Sequence, residues 1–250
     1  MGRWIEKNFL FEKSEAYHMG RPKALMSWSG GKDSAWALKQ VRESGEFEIV
    51  GAIVTITQGN NRVLLHGVRE ELLEAQTTAV GLPMRKMLIP YGCPGEVTDA
   101  ALYRLLMRAK AEGIERVIYG DLFCADVRGY REAQLGHMGM TGCWPLWKRD
   151  TAELVREIIN GGVCTYLSSV DLKHLPRSFA GRLLDHALLK DLPPGVDPCG
   201  EMGEYHSFVF DGPMFSHALN VYPGEIFEQD GFAFADLVNS GQPALRLTTG

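Results

Sequence analysis

The segment Ser27–Lys39, SWSGGKDSAWALK, decides how this chain is read. An apolar run, KALMSW (Lys23–Trp28), leads into it and fits a buried strand. After it, Ala35, Trp36, Leu38 and Val41 fall at helical spacing, with Gly45 as a stop. A glycine pair thus stands where a strand hands over to a helix. Glycines there let backbone N–H groups turn toward an anion, and the helix N-terminus adds partial positive charge. Ser29 and Ser34 add hydroxyl donors, and Lys32 a full charge. The common phosphate loop ends in Gly-Lys-Ser/Thr, whereas here Asp33 follows Lys32, and Met26 holds the place of the earlier glycine. A plain strand–helix turn capped by Asp33 or Ser34 competes for the same letters.

Working outward, IVGAIVTI (Ile49–Ile56) is β-branched and nearly continuous, as for a strand covered on both faces. GVREELLEAQTTAVG predicts a helix with Val68, Leu72, Ala75, Gln76 and Ala79 near one stripe. Met84–Pro90 predicts a strand, Thr98–Glu112 a helix, and Glu115–Asp121 a further strand. This alternation implies parallel pairing with right-handed crossovers, an α/β class with a Rossmann-like doubly wound sheet. Ligands bind beyond the carboxyl ends of such strands. SGGKDS, Thr55 and Gly120-Asp121 are therefore expected on one rim.

Beyond Gly142 the texture changes. CWPLW is an aromatic turn, with Trp144 and Trp147 read as packing between domains. Asp150 or Thr151 caps a helix, Val163–Asp171 predicts a strand, and Arg177–Leu192 predicts a helix. From Pro193 the chain reads as loops with short strands. The expected organisation is an extension over residues 1–20, a nucleotide-binding domain over 21–141 and a smaller α+β substrate domain over 142–250.

Composition bounds the function. With 250 residues, 45% hydrophobic and 23% charged, the chain reads as soluble and globular. A net charge of −5 argues against broad nucleic-acid binding. The five cysteines, Cys93, Cys124, Cys143, Cys164 and Cys199, are scattered without a C-x-x-C pair, as for free thiols in a reducing cytosol. No run is long enough to span a membrane and the N-terminus lacks a signal-peptide core, so a cytoplasmic location is expected. His66, His137, His174 and His186 have no partner pattern.

S-G-G-x-D-S at a first strand–helix junction resembles the PP-loop of the N-type ATP pyrophosphatases, the HUP-type adenine nucleotide α-hydrolase superfamily. HGVREELLEAQ, GDLFCADVRGYRE, PLW and DPCGEMGEYHSFVFDGPMF are in turn similar to the diphthine–ammonia ligase group, over about residues 23 to 236. The second signature stands at Gly200-Glu201-Met202-Gly203-Glu204-Tyr205. It continues as His206-Ser207-Phe208, where archaeal and eukaryotic members usually have Glu-Thr-Phe, and so looks like the bacterial branch.

This resemblance implies cleavage of the α–β bond of ATP, with a carboxylate adenylated and ammonia or an amine displacing AMP. It implies Ser29, Gly30, Gly31, Lys32, Asp33, Ser34, Thr55, Gly120, Asp121 and Arg128 at the nucleotide. Asp33 would hold Mg²⁺, and Lys32, Asp121, Glu201, Glu204 and His206 would serve the chemistry. His206 would shuttle a proton near neutral pH. Arg131 shares with Arg128 the choice between binding an anion and pairing with nearby acids. The carboxylate is left open, protein-bound or a small molecule of cofactor salvage, and so is a homodimer. A non-catalytic ATP-binding sensor and a tRNA-thiolating enzyme are the alternatives. The first would not need the paired glutamates, and the second lacks a cysteine pair and a basic surface.

Overall fold

The computed structural model describes residues 20–58, 62–63 and 67–239. The extension expected over 1–20 lies outside the described residues up to Met19, as does His66. The described residues begin with β1 (Lys23–Ser27), α1 (Lys32–Ser44) and β2 (Glu48–Gln58), then a short β3 (Arg62–Val63). There follow α2 (Glu70–Ala79), β4 (Met84–Pro90), α3 (Gly95–Ala111), β5 (Ile114–Ile118), α4 (Ala125–His137) and β6 (Thr141–Cys143).

The parallel strands lie in the order β4-β2-β1-β5-β6, and β3 adds antiparallel to the end of β2. Strand order therefore reverses between β1 and β5. This is the switch point at which doubly wound sheets open a crevice. The loop after β1 and the Gly120-Asp121 turn after β5 flank it. Two buried clusters sandwich the sheet. Leu25, Ile53, Leu106, Ile114 and Leu135 form the layer under α3 and α4. Met26, Trp36, Leu38 and Leu72 on the other face share one cluster with Leu154, Val170 and Phe208 of the second half.

That second half holds α5 (Thr151–Asn160), β7 (Cys164–Asp171), a 3₁₀ turn (Arg177–Phe179), α6 (His186–Asp191), β8 (Tyr205–Asp211), β9 (Val221–Gln229) and β10 (Phe232–Asn239). Its strands form an antiparallel sheet in the order β8-β7-β10-β9. Asp150, not Thr151, caps α5, its Oδ1 accepting from the Glu153 N–H at 2.9 Å. α1 reaches α5 through Trp36 Nε1, which donates to Glu157 Oε1 at 3.1 Å.

Three local expectations are corrected. α3 starts at Gly95 rather than Thr98, because Pro94 at its N-cap sets the entry backbone. The single helix expected over Arg177–Leu192 is broken. Gly181 takes a left-handed φ of 79°, and the chain after it pairs with β7 through Leu167 N–H to Arg182 O (2.9 Å) and Leu184 N–H to Thr165 O (2.9 Å). After Pro193 the strands are full members of a sheet, β9 running nine residues.

A buried ion pair fastens the halves. Arg69, which leads into α2, gives Nε to Asp236 Oδ1 (3.0 Å) and Nη2 to Asp236 Oδ2 (2.5 Å), with Glu71 at 3.7 Å on its other side. Both partners are under a tenth exposed. The hydrogen bonds to Asp236 raise the Arg69 guanidinium above its ordinary range, against the effect of burial. Removing one member of such a pair strands the other charge. Asp236→Ala is expected to cost about 3 kcal/mol of stability, checked as a lowered urea midpoint.

Candidate active site

The site is a cleft of about 380 Å³ between the switch point and the start of β8. Ser29, Gly31, Lys32, Asp33 and Ser34 line it from the first loop, Gly120, Asp121 and Arg131 from β5 and α4, and Glu201, Tyr205, His206 and Ser207 from the second half. Most of the residues singled out from sequence therefore meet in one place, although the two motifs lie far apart along the chain.

The first loop is built by short local bonds. Ser29 Oγ accepts from the Gly31 N–H (3.2 Å) and sits 3.1 Å from Ser34 Oγ, which in turn donates to Gly31 O (2.9 Å). Gly30, at φ 81°, lies behind the cleft. Its carbonyl accepts from the Val209 N–H of β8 (2.9 Å) and from Gln76 Nε2 of α2 (2.9 Å), while Gln76 Oε1 accepts from Trp28 Nε1 (3.0 Å). A Cβ on Gly30 would come 2.7 Å from Gln76 Oε1 and from Leu73 Cδ2. Ser207 Oγ accepts the Lys32 N–H at 3.1 Å, so β8 also contacts the first turn of α1. Gly120 allows the opposite wall to close in. A Cβ there would lie 2.9 Å from the backbone C of Asp33 and N of Ser34.

Lys32 is 2% exposed and does not project freely into the cleft. Its ammonium donates to Asp33 Oδ2 (2.8 Å) and to the carbonyl of Cys199, and lies 5.2 Å from the centre of the Tyr205 ring. Burial is the largest single influence and works against its charge, yet Asp33, with further pulls from Tyr205 and Cys199, outweighs it and holds the ammonium well above the usual lysine range. Asp33 is pushed up by burial against the pull of Lys32. Its other oxygen, Oδ1, is buried without a hydrogen-bond partner among the described residues.

The loop Asp197–Glu204 is folded around two carboxylates. Glu204, 2% exposed, accepts the N–H groups of Asp197 (2.9 Å) and Met202 (2.9 Å). Asp197 accepts from the Cys199 N–H (2.8 Å) and from Thr151 Oγ1 (2.7 Å), and the Tyr205 hydroxyl donates to Pro198 O (2.6 Å). Glu204 thus shapes the loop from inside, and it is Glu201 that faces the cleft. Burial first, then the charge of Asp33, pushes the Glu201 carboxyl up to about 7. Burial and Lys32 push the His206 imidazole down to about 4, so it is neutral at pH 7 and is not the neutral-pH shuttle expected of it.

The two arginines of α4 differ. Arg128 does not line the cleft: its guanidinium lies 4.6 Å from the ring centres of both Trp144 and Trp147, and Nε bonds Glu132 at 2.7 Å. Arg131 does line it, stacked 4.4 Å from the centre of the Tyr119 ring and paired with Asp121, which also accepts from Trp144 Nε1 at 3.3 Å. Thr55 stays within β2, outside the lining. Tyr205, the last residue of the second motif, and Cys199 and Ser207, which flank it, also line the cleft, and that position was their only signal in the sequence. All five cysteines are free, and burial pushes the Cys199 thiol up to about 12. No group of three or more His, Cys, Asp or Glu among the described residues is placed to hold a metal ion, and no helix among them is long and apolar enough to cross a membrane.

The Gly120 contact sets a test. Gly120→Ala must drive the β5 turn and the start of α1 apart, and stability read from the urea midpoint is expected to fall by about 1–3 kcal/mol. Gly129→Ala on α4, where a Cβ meets nothing within 4 Å, is expected not to lower it.

Two family descriptions match in succession, the diphthamide synthase N-terminal domain over residues 22–140 and the diphthamide synthase C-terminal domain over residues 150–238. The diphthine--ammonia ligase of Homo sapiens is 28% identical over 232 residues, 83% of this chain and 85% of its own. That of Danio rerio is 29% identical, covering 82% and 89%. That of Schizosaccharomyces pombe is 24% identical over 82% of this chain but only 37% of its own length. The solved U34-tRNA thiolase NcsA from Methanococcus maripaludis aligns over 57% of this chain and 58% of its own at 14% identity, with a TM-score of 0.35. With both domain descriptions matched in order along one chain, and relatives aligned over more than four-fifths of it, the chain belongs to the diphthamide synthase family.

Proposed function

We propose that this chain is an ATP-dependent ligase that adenylates a carboxylate and transfers ammonia or an amine to it. One observation carries the reading: the phosphate-type loop and the glutamate loop, 167 residues apart at the Lys32–Cys199 contact, open into the same cleft. The family relatives, named diphthine--ammonia ligases, support the class of reaction. In this reading residues 21–141 hold the nucleotide and 142–250 present the acceptor.

The chemistry follows from the walls. ATP phosphates lie against the Gly31–Ser34 turn, where the α1 N-terminus favours anions. A carboxylate oxygen attacks the α-phosphorus, the α–β bond breaks, and pyrophosphate leaves with the bridging electron pair. The amine nitrogen then attacks the acyl carbon, the tetrahedral adduct collapses, and AMP departs. Glu201 accepts the proton that the amine must lose, directly or from ammonium. Neutral His206 supplies a ring nitrogen for hydrogen bonding without adding charge. Arg131, rather than Arg128, is the cation available to an anionic group of the acceptor or of AMP. Lys32 ties the two loops together and fixes where Glu201 stands.

Asp33 Oδ1, buried and without a hydrogen-bond partner among the described residues, would hold a Mg²⁺ brought in with the phosphates. Such an ion, when bound, offsets phosphate charge. Among the described residues, no group of three or more His, Cys, Asp or Glu is arranged to hold it without the nucleotide.

With ATP, Mg²⁺, ammonium and a pool of metabolite and peptide carboxylates, the expected products are AMP and pyrophosphate, separated by ion-exchange chromatography; ADP and phosphate would overturn the proposal. The rate of amide formation is expected to rise as pH passes upward through about 7, since the raised Glu201 carboxyl must be ionised to accept a proton. Glu201→Gln is expected to remove that limb of the profile and to lower turnover about 10²-fold or more, with ATP affinity retained.

A further inference from the structure

A second concave surface lies along the free edge of the parallel sheet and shares no residue with the cleft. β4 bonds β2 on one side, and among the described residues nothing pairs with its other side. Beside that edge runs a groove of about 440 Å³ between Arg85–Leu88 of β4 and Arg104, Leu105 and Arg108 of α3.

Its charges are unbalanced. Glu112, at the groove's end, is held by both terminal nitrogens of Arg85 (3.0 and 2.6 Å). Lys86 is held by Glu70 at 2.7 Å and by Glu74. The exposed side chains of Arg104 and Arg108 have no hydrogen bond, ion pair or ring contact with any described residue. They stand four residues apart on α3, a spacing at which like charges work against a helix. The helix dipole favours Arg108, in the last turn, but falls off before Arg104. Leu88, 50% exposed, adds an apolar patch to the same edge.

An open strand edge offers unpaired N–H and C=O groups, which another extended backbone can satisfy. A second copy of this chain would bring the same cations face to face. A nucleic acid would use the arginines but not the backbone edge, and the net charge of −5 opposes it.

We propose that the β4 edge and the α3 groove dock an extended acidic segment of a partner protein, added to the sheet as a further strand. Alternate side chains of a strand point to one face, so acids at every second position of the segment would meet Arg104 and Arg108 together. The proposal is independent of which bond of ATP is cut.

The probe is a fluorescein-labelled peptide of about eight residues alternating Glu and Thr, titrated with the protein and followed by polarisation. Saturable binding is expected. The double variant Arg104→Glu/Arg108→Glu is expected to weaken it at least about tenfold, as is N-methylation of alternate peptide bonds. Affinity for ATP should be unchanged in that variant, which also shows that it folds. Arg104→Gln/Arg108→Gln should fall between. Absence of saturable binding, indifference to charge reversal, equal binding of the methylated peptide, or tighter binding of a single-stranded oligonucleotide would each overturn the proposal.

Discussion

The carbonyl of Gly30 is the point on which the site depends. It accepts from Val209 of β8 and from Gln76 of α2, so one atom joins the first loop, a helix of the large sheet and a strand of the small one. Gln76 is fully buried, and its amide is used at both ends, by Gly30 and Val209 on one side and Trp28 on the other. Buried amides are costly to leave unpaired. The loop therefore holds its shape only while both halves are in place, and the Lys32–Cys199 contact and the Arg69–Asp236 pair extend the same join outward.

Electrostatics in the cleft follow from this closure. Asp33, Asp197 and Asp121 crowd Glu201 and add to the cost that burial puts on ionising it, and Asp121 does the same to Asp33. Lys32 answers Asp33 and Arg131 answers Asp121. Glu201 has no such ion pair among the described residues; burial first, then the charge of Asp33, raises its carboxyl toward neutrality, while burial and Lys32 deny the His206 ring its proton. A carboxyl raised toward 7 and a neutral ring thus line one cleft, both set chiefly by burial.

Much of this was legible in the chain. Alternating strands and helices give the doubly wound sheet, and the glycine loop and Gly120-Asp121 fall at its switch point. What escaped reading was whatever depends on distant partners. Glu201 and Glu204 look alike in Gly-Glu-x-Gly-Glu, but one turns into the loop and caps its amides while the other faces the cleft. Arg128 and Arg131 share a helix, and the tryptophans that take up Arg128 come from beyond β6. Gln76 on an otherwise apolar stripe was the one local clue to the join, since a lone amide there has to find a buried partner. The broken helix over Arg177–Leu192 failed for a similar reason: β7 offers that segment backbone partners that helical periodicity does not reveal.

The shared knot at Gly30 also bears on inheritance. A protein whose halves meet through loose contacts can exchange one half for a foreign one and remain whole. Here the carbonyl that shapes the nucleotide loop is saturated by an amide from β8, and the cation within that loop by a carbonyl from the glutamate loop. Recombination that replaced either half would have to bring a matching strand register and a matching loop at once. Exchange of one half alone would break these contacts, whereas point changes along the cleft wall leave them intact.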